Sequence, residues 1–339
     1  MSIQKRKKEH VELSINRDVN YQKTTGFDEL DFVHNALPEI NSTEVRLSAS
    51  LFERDFSFPL FISSMTGGYS EAGAVNTIIA EFCENNNLPF GVGSQRVMLE
   101  DPAEEESFSV VRSYAPTAFI AANIGGAQLI DGLSDEKIRR MIESIDANAV
   151  IVHLNPLQEL VQQEGDRNFK GVEKGIENLA NKVECPIIVK ETGAGISKSV
   201  AERLLGIGVT VIDVAGAGGT SWSKVENLRS NQTDPLHEFD EWGIPTVDCI
   251  NQIIPLKSKK TFELIASGGI RSSFDIVKAI ALGADFTATA QPVIKAIMDG
   301  GYKKLDDLFG IWQKQARYIL TLLGCSSFDD LNSNHLYRK

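Results

Sequence analysis

Eight short apolar runs, each closed by glycine or a polar residue and followed by a segment of helical period, constrain this chain more than any other feature. The runs cover residues 59–63, 89–93, 118–122, 149–153, 186–190, 209–214, 263–267 and 285–290. Their starts lie 30, 29, 31, 37, 23, 54 and 22 residues apart. A strand with its crossover helix needs about 30 residues, so most intervals hold one such unit. The longest interval holds an insertion over 220–246. Runs that are apolar nearly throughout fit parallel strands covered on both faces. Between them, the segment from Ser197 puts Val200, Leu204 and Leu205 on one stripe and stops at Gly206 and Gly208. Ser273 is the expected cap of another helix, which stops at Gly283. Eight strands alternating with helices predict an α/β fold, a single (β/α)8 TIM barrel. An open doubly wound sheet usually stops at five or six strands. The barrel takes about 250 residues, so a chain of 339 leaves room for the insertion and for an N-terminal extension over 1–50 within one domain, 1–339.

The chain carries 46 acidic against 34 basic residues, a net charge of −12. That balance argues against broad nucleic-acid binding, which needs a basic face to neutralise phosphates. No apolar stretch approaches the ~18–20 residues that span a bilayer, and no membrane partner is expected. The four cysteines lie far apart, without metal-binding spacing. Free thiols in a reducing compartment are the simpler reading, which makes the expected location cytoplasmic.

In such barrels chemistry sits where strands finish. The strand ends here read Ser64-Met-Thr-Gly-Gly68, Ser94-Gln-Arg96, Asn123-Ile-Gly-Gly126, His153-Leu-Asn155, Lys190-Glu-Thr-Gly193, Gly216-Ala-Gly-Gly-Thr220, Gly268-Gly-Ile-Arg271 and Ala290-Gln291. Glycine at a loop start also serves tight turns, but seven loops together point to a site. Small residues after the last two strands let backbone N–H groups approach an anion, so a phosphorylated ligand is expected there. Lys190 closes an apolar run as a Schiff-base former, a counter-ion for an electron-rich ring, or a packed structural lysine. Thr66 and Asn123 can read the edge of a planar heterocycle, and with Lys190 they suggest flavin mononucleotide (FMN). His153 and Asn155, two apart on an extended segment, are expected to point together into the barrel mouth. Glu159 or Glu164 can hold Mg²⁺ together with phosphate oxygens. The basic cluster Lys5-Arg-Lys-Lys8 with His10 is a solvated tail unless it folds over the mouth, where Arg6, Lys7 and His10 can join Arg96 on a diphosphate.

These residues, together with Gln162-Gln-Glu-Gly-Asp166 and Gly218-Gly-Thr-Ser-Trp222, resemble the type II, FMN-dependent isopentenyl-diphosphate isomerase family from about residue 6 to residue 324. The resemblance implies FMN, NADPH and Mg²⁺ as cofactors. It implies flavin contacts at Met65, Thr66, Gly67, Ser94, Asn123, Lys190, Thr220, Gly268, Gly269, Arg271, Ala290 and Gln291. It places substrate at Arg6, Lys7, His10, Ser94, Gln95, Arg96 and Gln158, catalysis at Gln158, His153 and Asn155, and the metal at Glu159. Gln163 stands where the family's loop usually has proline. The implied partners are a small-molecule diphosphate and further copies of the chain, as a tetramer or octamer, with a long helix from about Lys303 to Leu323. The implied reaction moves a double bond with no net redox change. The competing reading on the same barrel is an FMN-dependent 2-hydroxy-acid oxidase, which a His beside the paired glycines at 268–269 would favour; Ser267-Gly-Gly-Ile-Arg271 has none. A non-catalytic flavin-binding barrel is the third reading, and the presence of His153, Gln158 and Glu159 speaks against it.

Overall fold

The eight expected strands close into one parallel barrel. They are β1 (Leu60–Ile62), β2 (Phe90–Gly91), β3 (Ile120–Gly125), β4 (Ala149–Leu154), β5 (Ile187–Glu191), β6 (Val211–Asp213), β7 (Glu263–Ala266) and β8 (Phe286–Thr289). Neighbours in sequence are neighbours in the barrel, and β8 closes on β1 with Thr287 opposite Leu60. The computed structural model describes residues 3–65, 67–68, 72–230 and 236–339.

Every second side chain along a strand faces the same way, and this alternation builds the barrel interior. Phe61, Phe119, Ala121, Ala149, Ile151, Ile188, Val211, Ile265, Phe286 and Ala288 form one buried cluster inside it. The remaining core lies mainly between strands and outer helices. Burying one such Phe or Ile is worth about 1.5–3 kcal/mol, and Phe286→Ala would cost about 3–5 kcal/mol. A hairpin of Ala49–Leu51 and Arg54–Phe56 plugs the floor, where Phe52 stacks on Phe119 with centroids 4.6 Å apart. Its turn residues Phe52 and Glu53 both have positive φ, 55° and 56°. Asn-Gly or Asp-Gly usually announces such a turn, so composition gave no signal for it.

Six helices position the site: α1 (Ile3–Asn16) in the N-terminal extension, α2 (Pro156–Val161) after β4, α3 (Lys198–Gly206), α4 (Trp222–Arg229) in the insertion, α5 (Ser273–Ala281) and α6 (Gln291–Leu323). The α3 stripe is as expected, with Leu204 and Leu205 buried and Gly208 at φ 90° beyond the end. The α5 cap differs by one residue. Ser272 accepts from the Asp275 N–H, and Ser273 is instead the buried first residue, its hydroxyl donating to Gln315. The expected C-terminal helix is the second limb of α6, which begins at Gln291 and breaks at Gly300–Gly301, where Gly301 takes φ 64°. After α1 the chain is strapped to the loop beyond β6, with Tyr21 N–H donating to Gly219 and Ser221 N–H to Val19. That strap seats α1 against α4 and α6 over the C-terminal end of the barrel.

Candidate functional site

One step past the apolar layer, the inward series turns polar. The Phe119–Ala121 series continues to Asn123, Ala149–Ile151 to His153, Ile188 to Lys190, Val211 to Asp213 and Ile265 to Ser267. His153, Lys190 and Asp213 stand side by side in register across β4, β5 and β6. A cavity of about 290 Å³ opens above this ring.

Eleven of the twelve expected flavin contacts line that cavity: Met65, Gly67, Ser94, Asn123, Lys190, Thr220, Gly268, Gly269, Arg271, Ala290 and Gln291. Thr66, the twelfth, lies outside the described residues. The loop after β7 needs its glycines: Gly268 has φ 95°, and a Cβ there would meet the Gly216 carbonyl at 2.1 Å. The donor chemistry fits a flavin phosphate and ring, with small residues before α5 and α6 at one side and the Lys190 ammonium at the other.

Buried polar groups in the ring are anchored largely by backbone. Asn123 donates to the Val92 carbonyl (3.0 Å), and its Oδ1 lies 2.8 Å from His153 Nδ1. Burial, then the charges of Lys190 and Lys7, drive His153 down to about 3, so its imidazole is neutral at working pH. Lys190 donates to the Glu191 carbonyl at 2.6 Å. The Glu191 carboxylate accepts the N–H groups of Thr192, Gly193 and Ala194, yet burial still pushes it up to about 6. Asp213 accepts from Ser267 Oγ and Ala215 N–H, and burial raises it too.

Helix α1 brings Lys7 and His10 to the cavity wall. Lys7 donates to the carbonyls of Gly67 (2.7 Å) and Ser94 (2.8 Å), and burial, then the nearby Arg6 charge, lowers it to about 7. His10 Nε2 lies 2.8 Å from Glu226 Oε1, and its ring meets Trp222 edge-on. Gln158 also reaches the cavity and donates to the same Glu226 oxygen at 3.1 Å.

Other expected residues do not reach the cavity wall. Gln95 is fully buried beneath it, its amide donating to the Met141 carbonyl and accepting from Asn123 N–H, so it braces the ring instead of facing substrate. Asn155 does not accompany His153, because β4 ends at Leu154 and the two-residue alternation ends with it. Its amide instead holds Gln158 (3.2 Å) and Glu159 (3.0 Å). Arg96 sits at the rim between Glu100 and Asp166, and Arg6 lies 4.0 Å from Glu164. Glu159 accepts from Asn155 and from Asp166 N–H. Among the described residues no group of three or more His, Cys, Asp or Glu is placed to hold a metal.

Glu226 and Arg229 were absent from the sequence reading. The signal was available but faint: a Glu and an Arg at i, i+3, just after the Trp222 motif, and the structure puts Glu226 on the buried face of that helix. Burial opposes ionisation of Glu226, but the His10 and Gln158 hydrogen bonds and the His10 and Arg229 charges outweigh it and lower its pKa.

The closed barrel, its glycine-lined anion end and its strand-end lysine define a flavin-binding barrel, and residues 137–338 match the FMN-dependent dehydrogenase family. Isopentenyl-diphosphate delta-isomerase of Chlorobium limicola is 44% identical over 98% of this chain and 96% of its own length. The protein of that name from Nostoc sp. is 40% identical over 97% and 94%. The chain belongs to the isopentenyl-diphosphate delta-isomerase family within that flavin class. Solved structures agree on the fold alone: a flavocytochrome b2 variant with sulfite bound superposes with TM-score 0.70 at 16% identity, over 97% of this chain and 82% of that one. A lactate oxidase described from Pediococcus acidilactici gives 0.69 at 16%, over 97% and 86%.

Proposed function

We propose that this enzyme interconverts isopentenyl and dimethylallyl diphosphates, with FMN resident at the strand-end ring, NADPH as reductant and Mg²⁺ at the diphosphate. The observation that carries this reading is the buried Glu226 carboxylate, held by Gln158 and His10, beside the flavin cavity. The double bond moves when one proton is added at the terminal methylene and one is lost from the methylene two carbons away, so no net oxidation occurs. When bound, reduced FMN supplies an electron-rich ring face and a proton. Glu226 takes up the departing proton, with Gln158 as its hydrogen-bonded contact to the substrate. Trp222, Val11 and Ile294 shield the developing positive charge from water.

Lys190 balances the anionic flavin ring, and neutral His153, fixed by Asn123, supplies a hydrogen-bonding group and no charge. The diphosphate takes Lys7, Ser94, Arg6 and Arg96, drawing the two arginines from Glu164 and Asp166. Gln95 and Asn155 act through the residues they brace. Glu159 would hold Mg²⁺, whose charge would offset that of the diphosphate. No helix among the described residues is long and apolar enough to cross a membrane. A homo-oligomer is supported by Ile311, Tyr318 and Leu322, exposed along one side of α6. The 2-hydroxy-acid oxidase reading lacks its histidine after β7, where Ser267 is followed by Gly268 and Gly269.

An anaerobic assay with FMN, NADPH, Mg²⁺ and isopentenyl diphosphate tests the reading. Dimethylallyl diphosphate is expected without stoichiometric NADPH loss. Bound flavin with no isomerised product would instead point to an oxidoreductase on the same barrel.

A further inference from the structure

Glu226 is 1% exposed in its side chain, and a buried carboxylate stays ionised only if something fixed compensates it. Its Oε1 meets His10 Nε2 (2.8 Å) and Gln158 Nε2 (3.1 Å). The Gln162 amide, oriented to satisfy both its ends, donates to the same oxygen (3.1 Å) and accepts from Arg6 (2.9 Å). Its Oε2 accepts from Arg229 Nε at 2.8 Å. The two amides carry no charge, and an imidazole is positive only while protonated. A guanidinium is positive at every working pH.

Arg229 does more than balance one charge. Its Nη2 lies 2.9 Å from Glu164 Oε1, and its Nη1 lies 3.9 Å from Glu9 Oε2. The fork therefore touches α4, the loop at 162–166 and α1 at once. With 7% of its side chain exposed, it is little screened by water. The charged and titratable groups facing Glu226 are thus His10 on α1, with Glu9 and Arg6 behind it, Glu164 on the loop, and Arg229 on α4 itself.

We propose that Arg229 is a positioning residue for the isomerisation, holding Glu226 ionised and aimed at Gln158 while tying it to α1. The inference rests on Glu226 being the proton acceptor. A lysine keeps the charge but is a single point donor, so it cannot span Glu226 and Glu164 in the same way.

The test is kcat against pH, from about 5.5 to about 9, on full-length FMN-loaded enzyme with reductant and Mg²⁺. It compares wild type, Arg229→Met, Arg229→Lys and Glu226→Gln. In Arg229→Met the acid limb moves to higher pH, so turnover at about pH 5.5 falls about tenfold more than on the alkaline plateau. Arg229→Lys gives an intermediate limb, and flavin absorbance per chain stays at the wild-type value in both. If Arg229→Met does not retain FMN, Arg229→Lys decides, with a smaller displacement in the same direction. An undisplaced acid limb with a uniform loss means that Arg229 only packs, and overturns the proposal. Wild-type turnover in Glu226→Gln overturns the underlying assignment of the acceptor instead, which separates the two failures.

Discussion

The strand-end ring and the contacts between α1 and α4 both bury charge over the same cavity, but they hold it by different means. In the ring, Asp213 takes Ala215 N–H and the Ser267 hydroxyl just past β7, and His153 leans on Asn123 one strand away, while Glu191, on the other face of β5 from Lys190, takes three successive backbone N–H groups. Those partners exist as soon as the barrel closes. Around Glu226 the partners are side chains from α1, α2 and α4, and His10 is 216 residues from Glu226 in sequence. The ring's hydrogen bonds thus need no side chain of α1, while the second set includes His10 of α1. The difference implies that flavin retention and turnover are separable properties of one cavity.

The largest expected effect breaks the ring. Lys190→Ala removes the strand-end cation and leaves the Glu191 carbonyl without its donor, so the protein should purify largely free of flavin. Flavin absorbance relative to protein absorbance measures this, and an undiminished ratio would remove Lys190 from cofactor binding. The next effect breaks the other set. Gln158→Ala should retain flavin yet lose about 10²–10³-fold in kcat, as expected when a hydrogen-bonding group at the reacting centre is deleted. Should the two variants lose flavin together, the ring would depend on α1 docking and the distinction drawn above would fail.

That distinction also explains what could be read from the chain. Strand positions and barrel closure followed from eight nearly continuous apolar runs with glycine-marked ends, which are local signals, whereas the expected flavin contacts, eleven of which line the cavity, came from the family resemblance of the motifs. Gln95 was misplaced because a motif fixes neighbours along the chain but not which way each side chain turns. At this strand end Gln95 turns inward to the Met141 carbonyl. Asn155 failed for a related reason, since the alternation that carries His153 stops where β4 does. Glu226 and Arg229 left only a faint signal because partners that give them meaning, His10 and Glu9, stand on α1, more than 200 residues away in sequence. The floor hairpin escaped notice because Phe52 and Glu53 take a turn conformation that glycine or asparagine normally fills.

The smallest effect sharpens the comparison through stability alone. His153 has its pKa depressed from 6.5 to about 3 by burial first and then by Lys190 and Lys7. In the folded state it stays neutral down to about pH 3, whereas the unfolded chain binds a proton as pH falls below 6.5. More protons on the unfolded state mean that stability falls as pH falls across that window. Glu191 acts in the opposite sense: raised from 4.5 to about 6, it favours the fold at low pH and loses that contribution as pH rises through about 6. His153→Gln removes the first slope and leaves the second. On moving from about pH 6.5 to about pH 5, the wild type should therefore lose about 2–4 °C more in Tm than the variant. Thermal denaturation at both values checks this, and equal losses would mean that the imidazole is already solvated. A histidine whose hydrogen bond lies wholly within the barrel should show the same slope when His10 on α1 is replaced by asparagine. A slope that vanished with His10 would show that α1, and not the barrel, keeps the ring dry.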